Sequence, residues 1–143
     1  MATNEATTCA DRIDAHYHDR MDDIRRMMDA ERRGDESGPE ETGPIHEYGL
    51  SFEYIIPEDT RRGFWCWLIS TGGPAEEFRF YGECVGEYGA VLDRIEFRFH
   101  DWFDGAGQDV PLDSDDGAIL REFFEGLAEC GVAYSTHAKA HEA

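Results

Sequence analysis

The chain has 143 residues, with 32 acidic side chains against 13 basic ones and a formal net charge of −19 at pH 7. A field of that sign repels nucleic acid and anionic membrane and attracts basic surfaces, including the grooves with which other proteins hold DNA or RNA. The same chain is 41% hydrophobic with nine Phe, six Tyr and three Trp, too aromatic for a disordered acidic tail, and its length predicts one folded domain.

The first predicted element lies between Thr7 and Arg33. Ile13, Tyr17, Met21, Ile24 and Met28 recur at intervals of three or four, one stripe of a long amphipathic helix. Residues 34–44, GDESGPEETGP, hold three glycines, two prolines and no apolar side chain, which predicts a flexible acidic loop. Tyr48, Leu50, Phe52, Tyr54 and Ile56 then alternate with other residues at the period of a strand, and Pro57 ends the run. Phe64 to Ile69 is apolar on both faces, as a central strand covered on two sides would be. Phe78 and Phe80 alternate with Arg79 and Tyr81 in a third strand, and Ile95, Phe97 and Phe99 alternate with Glu96, Arg98 and His100 in a fourth. A final helix starts near Asp113, carries Ile119, Leu120, Phe123, Phe124 and Leu127 on one side, and stops at Gly131. The tail from 135 to 143 is small and polar and is expected to fray. Together these elements predict a two-layer α+β domain spanning 1–143: a four-stranded antiparallel sheet packed against a long N-terminal helix and a C-terminal helix.

The acids are not evenly spread. Residues 34–59 hold eight acids and no Lys or Arg, and residues 93–129 hold eleven acids against Arg94, Arg98 and Arg121. Residues 1–33, with eight acids and six arginines, are nearly neutral. One lysine, Lys139, stands beside twelve arginines, the bias of a GC-rich or salt-adapted genome. Salt adaptation alone would spread the acids over the whole surface, whereas here they fall in blocks.

The segment from His100 to Asp116, HDWFDGAGQDVPLDSDD, holds six aspartates and is the first place to look for chemistry. Converging carboxylates suit a hard divalent cation, yet neither Asp104 nor Asp109 opens the alternating series of a calcium loop. A hydrolytic pair such as Asp101 and Asp104 would need separated pKa values in a pocket. A thiol nucleophile at Cys66 or Cys84 would need His100 or His46 as its base. Cys9, Cys66, Cys84 and Cys130 form no CxxC pair and read as reduced thiols. His137 and His141 are four apart near Cys130, on a tail that is a poor scaffold for zinc. Trp102 and Phe103 within the acidic segment resemble an interface anchor with a charged rim. No cofactor or metal is required by any of these patterns.

The stretches Glu47 to Tyr54 (EYGLSFEY), Ser70 to Phe80 (STGGPAEEFRF) and Arg94 to Ala106 (RIEFRFHDWFDGA) resemble small acidic accessory proteins carried on bacterial plasmids and integrative elements. In size and charge the chain is also similar to anti-CRISPR and antirestriction proteins, several of which mimic DNA. The resemblance implies an acidic inhibitor rather than an enzyme. It would block a basic nucleic-acid-binding protein or complex, such as a CRISPR effector or a restriction enzyme, without itself touching nucleic acid or membrane. The residues expected at that interface are Asp101, Trp102, Phe103, Asp104, Asp109, Asp113, Asp115 and Asp116, with Glu36, Glu40 and Glu41 from the first block. Because the six aspartates repel one another, neutralising them is expected to leave the fold intact or firmer. The alternatives are an acidic housekeeping domain whose charge serves solubility, and a divalent-metal enzyme centred on 101–116. No apolar run reaches the 18 or so residues of a membrane span, and no basic stretch followed by an apolar one opens the chain, so a cytoplasmic location is expected.

Overall fold

A computed structural model describes residues 8–59, 62–71, 74–101 and 104–142. Helix α1 (Cys9–Arg32) begins in a capping box. The Thr8 hydroxyl accepts the Asp11 N–H and the Asp11 carboxylate accepts the Thr8 N–H, each at 3.2 Å. It buries the predicted stripe of Ile13, Tyr17, Met21, Ile24 and Met28, together with Cys9 and Met27. After the turns of 34–44 and a short 3-10 turn at Ile45–Glu47 come five strands. They are β1 (Ser51–Ile55), β2 (Phe64–Ser70), β3 (Ala75–Cys84), β4 (Ala90–Asp101) and β5 (Asp104–Val110), followed by α2 (Asp115–Glu129) and α3 (Val132–Ala140).

The sheet is an open antiparallel meander in the order β1-β2-β3-β4-β5. Because side chains alternate along each strand, its register sorts residues into two faces. Trp65, Trp67, Phe78, Phe80, Ile95, Phe97 and Phe99 all point to the face that carries the helices, and all are buried. Phe123 of α2 stacks on Trp67 with ring centroids 3.9 Å apart, and Phe124 stacks on Phe80 at 5.2 Å. Tyr17 of α1 meets Phe97 edge-on at 5.6 Å. Trp67, Phe80, Phe97 and Phe124 are thus buried between the sheet and the helices, and the fold is α+β with helices on one side of an antiparallel sheet.

Three features differ from the sequence reading. First, the sheet has five strands, because Asp104–Val110 pairs with β4 over its whole length instead of forming a loop. Its glycines, read from sequence as loop residues, serve the pairing. A Cβ on Gly105 would sit 2.6 Å from His100 Nδ1, and one on Gly107 would sit 2.8 Å from Arg98 Nη1, so the long side chains of β4 lie flat across a strand that has none. Second, the tail does not fray at 135. Gly131, at φ 87°, turns the chain after α2, and α3 continues to Ala140. The indole N–H of Trp65 donates to the Ala133 carbonyl at 3.0 Å, and His137 packs edge-on against Tyr54 at 4.6 Å. Third, no helix among the described residues covers the second face of β2. Phe64 is buried there beneath the guanidinium of Arg79, 4.3 Å from its ring centre. No helix among the described residues is long and apolar enough to cross a membrane.

Candidate binding surfaces

Helix α1, nearly neutral by count, is not neutral by side. Its arginines reach inward and along its flanks to acids of other elements. Arg12 Nη1 donates to Asp101 at 2.5 Å, Arg20 Nε to Glu76 at 2.6 Å and Arg32 Nη2 to Glu122 at 2.5 Å, while Arg25 pairs with Asp116. Glu76 is the most deeply placed of these acids, buried beneath α1 with His16 Nδ1 at 3.2 Å from its second oxygen. The solvent side of the same helix exposes Asp11, Asp14, Asp19, Asp22 and Asp29. At 100° per residue Asp11, Asp22 and Asp29 fall on one line, with Asp14 and Asp19 flanking it. A carboxylate-bearing stripe thus runs along a helix of about 36 Å, given 24 residues at about 1.5 Å each. Beyond its last turn stand Glu36, Glu40 and Glu41, all exposed, with Glu41 3.7 Å from Arg26.

The aspartates of 101–116 do not form a ridge. Asp101 is held by Arg12, and its side chain is 18% exposed. The Asp104 carboxylate accepts the N–H of Cys9 at 2.7 Å and so caps the start of α1. Asp109 lies on β5 with Arg94 at 2.9 Å. Asp116 accepts the Tyr17 hydroxyl at 2.6 Å in addition to its Arg25 pair. Asp113 and Asp115 are exposed at the start of α2. Trp102 and Phe103 lie outside the described residues. Four of the six aspartates therefore stabilise this chain's own fold, which corrects the expectation that removing all six leaves the fold intact or firmer. Glu36, Glu40 and Glu41 stand past the C-terminal end of α1 and Asp101 and Asp104 at its N-terminal end, so the two predicted acidic groups do not make one patch.

The capping bond gives a pH prediction. The Cys9 N–H holds the Asp104 carboxyl below its ordinary value of 3.8, and the bidentate grip of Arg62 does the same for Asp93. A depressed folded-state value contributes stability above the unfolded value, and that contribution is lost as pH falls through the lower one. Urea midpoints of wild type and Asp104→Asn should therefore differ at neutral pH and converge as pH drops below about 3.8.

Of the catalytic pairings raised by the sequence, the structure places Asp101 and Asp104 opposite each other across β4 and β5. Asp101 and Asp104 each hold an internal partner, and the Asp104 carboxyl is lowered rather than raised. Cys66 faces Arg79 across β2 and β3, Arg79 faces Glu96 across β3 and β4, and His100 lies four residues farther along β4. Two strand spacings and four residues of rise put about 16 Å between the backbone positions of Cys66 and His100. Burial first, then the nearby Glu77, pushes the Cys66 thiol up to about 12, so it stays protonated at neutral pH. Among the described residues no three His, Cys, Asp or Glu side chains converge on a metal-sized site.

What the sequence reading missed is on the open face of the sheet. A cleft of about 720 Å³ is lined by Arg62, Phe64, Arg79, Tyr81, Arg94 and Arg98, together with Ile55, Pro57, Glu58 and Asp59. Four of the twelve arginines of this acidic chain meet there. Arg62 and Arg94 lie over the Tyr81 ring at 5.7 and 5.1 Å from its centre, and Arg79 lies over Phe64. Carboxylates hold the same groups from the side: Glu77 accepts from Arg79 Nε at 2.6 Å, and Asp109 from Arg94 Nε at 2.9 Å. Arg98 is held least. Its sole side-chain bond is a 3.4 Å contact to Glu96, and its buried Nε has no hydrogen-bond partner among the described residues. The only sequence signal was the alternation of Arg94, Glu96 and Arg98 on one strand with Arg79 on the next, since register then places them side by side.

No protein-family model, curated protein or solved structure matches the chain.

Proposed function

We propose that this protein is an acidic inhibitor of the anti-CRISPR or antirestriction kind, which lays carboxylates against a basic, nucleic-acid-binding surface of a partner protein. The observation that supports this reading is the engagement of Arg12, Arg20, Arg25 and Arg32 with acids of other elements, beside which Asp11, Asp14, Asp19, Asp22 and Asp29 stay exposed along a 24-residue helix. Duplex DNA presents about one negative charge per 1.7 Å of axis, and a rigid helix with a carboxylate stripe offers a groove for phosphates a sparser version of the same field. The adjoining Glu36, Glu40 and Glu41 extend that stripe past the helix end, whereas the aspartates of 101–116 contribute Asp113 and Asp115 at most. Relative to the residues expected from sequence, the interface thus moves from the second acidic block to α1 and the loop after it.

The test is capture from a nuclease-treated host lysate on immobilised protein at about 0.05 and 0.5 M salt, where screening shortens from about 14 Å to about 4 Å. A nucleic-acid-binding protein retained at the lower salt and released at the higher is the expected result, and duplex DNA should compete for it. A lysate that yields no such partner, or one indifferent to DNA and salt, would leave the charge as a device for solubility.

A further inference from the structure

We propose that the cleft on the open face of the sheet binds a small molecule that carries one oxyanion, a carboxylate or a phosphate ester, on a compact apolar group. Four features of the cleft lead to this. The first is the state of Arg98. Its side chain is 28% exposed, yet one long contact to Glu96 is its whole hydrogen bonding, and a largely desolvated guanidinium with a bare Nε is a poor device for stability alone. An oxyanion in the cleft supplies a partner for its Nη2, which bonds none of the described residues.

The second is preorganisation. Stacking on Phe64 fixes the plane of the Arg79 guanidinium, and Glu77 and Tyr81 hold it by hydrogen bonds, so the charge stands in place at the cleft. A guanidinium held in place before binding loses little freedom when an anion arrives. Gly107 belongs to the same device, because any side chain there would meet both Glu96 and Arg98.

The third is the apolar wall of Ile55 and Pro57, which gives the rest of the ligand a surface beside the guanidiniums. A volume of about 720 Å³ is in the range of small-molecule sites. The fourth is charge. Glu58 and Asp59 in the lining of the cleft, together with a net charge of −19, disfavour a polyanion such as nucleic acid and select a ligand with a single charged group. This site is on the sheet face opposite the helices and does not depend on the acidic helix surface or on any partner.

The test uses phenyl phosphate, benzoate and inorganic phosphate, titrated into the full-length 15N-labelled protein while the Arg Nε–H resonances are followed. Saturable shifts of the Arg98 and Arg79 signals with phenyl phosphate or benzoate are expected at dissociation constants on the order of 1 mM or below. The tighter of the two distinguishes a phosphate from a carboxylate ligand. Arg98→Gln should weaken binding at least about tenfold, and Arg79→Gln, at a second and independently supported position, should do the same with near-ultraviolet circular dichroism unchanged. Arg32→Gln, on the other side of the molecule, should bind as wild type. The proposal is overturned if neither phenyl compound gives a saturable shift below about 10 mM, if inorganic phosphate binds as tightly as phenyl phosphate, or if folded Arg98→Gln and Arg79→Gln bind as wild type.

Discussion

Replacing Phe97 by Ala should cost about 3 to 5 kcal/mol, a large part of the roughly 5 to 15 kcal/mol that holds a domain of this size folded. Phe97 is fully buried in β4, with Phe78 opposite it in the register at a ring separation of 5.0 Å and Tyr17 of α1 edge-on above it. Truncation removes the transfer free energy of the ring and leaves a cavity whose walls come from two layers. Strands and helix cannot close it together. Val91, on the same strand but 63% exposed, should tolerate Ala within about 0.5 kcal/mol. Thermal and urea unfolding of the two variants measure this. Reversed costs would mean that β4 presents its other side chains to the helices, since a shift of one residue turns the whole strand over.

The parts of the fold that sequence revealed are those where the buried side chains set the period. Ile13 to Met28 announce α1, and Phe78, Phe80, Ile95, Phe97 and Phe99 announce two strands, because burial on one face is itself the signal. β5 gave no such signal. Its glycines look like a loop, and the reason they are there is the neighbouring strand: His100 and Arg98 need the room. α3 was equally silent, since Ala133 is buried by a hydrogen bond from Trp65, 68 residues earlier. The binding surfaces follow the same division. Counting located the acids, but pairing depends on distances between elements, and so the count could not separate Asp101 and Asp116, which hold α1 in place, from Asp22 and Asp29 on its outer side. The arginine cleft was hidden for the related reason that Arg62, Arg79, Arg94 and Arg98 come from two strands and a connection.

The sorting of acids by role leads to two variants that should behave in opposite ways. Changing Asp14, Asp19, Asp22 and Asp29 together to Asn removes carboxylates whose internal contacts are weak helix pairs and, at Asp14, one exposed 3.3 Å bond from Gln108 of β5. The Asp22 pair with Arg25 spans 3.7 Å and the Asp29 pair with Arg32 is exposed, each worth about 0.3 to 0.5 kcal/mol. This variant should melt close to wild type and lose both its affinity for the partner captured at low salt and the steep salt dependence of that affinity. Changing Asp101, Asp109 and Asp116 to Asn does the reverse. It weakens the ties of Arg12, Arg94 and Arg25, and at Asp116 it also disturbs the buried end of Tyr17, a loss of about 1 to 3 kcal/mol for a charge-assisted site of this kind. A lower melting temperature with the salt slope of binding retained is expected there. If the α1 variant bound with the affinity and slope of wild type, the acidic stripe would not be the interface. The four carboxylates would then be accounted for by solubility alone.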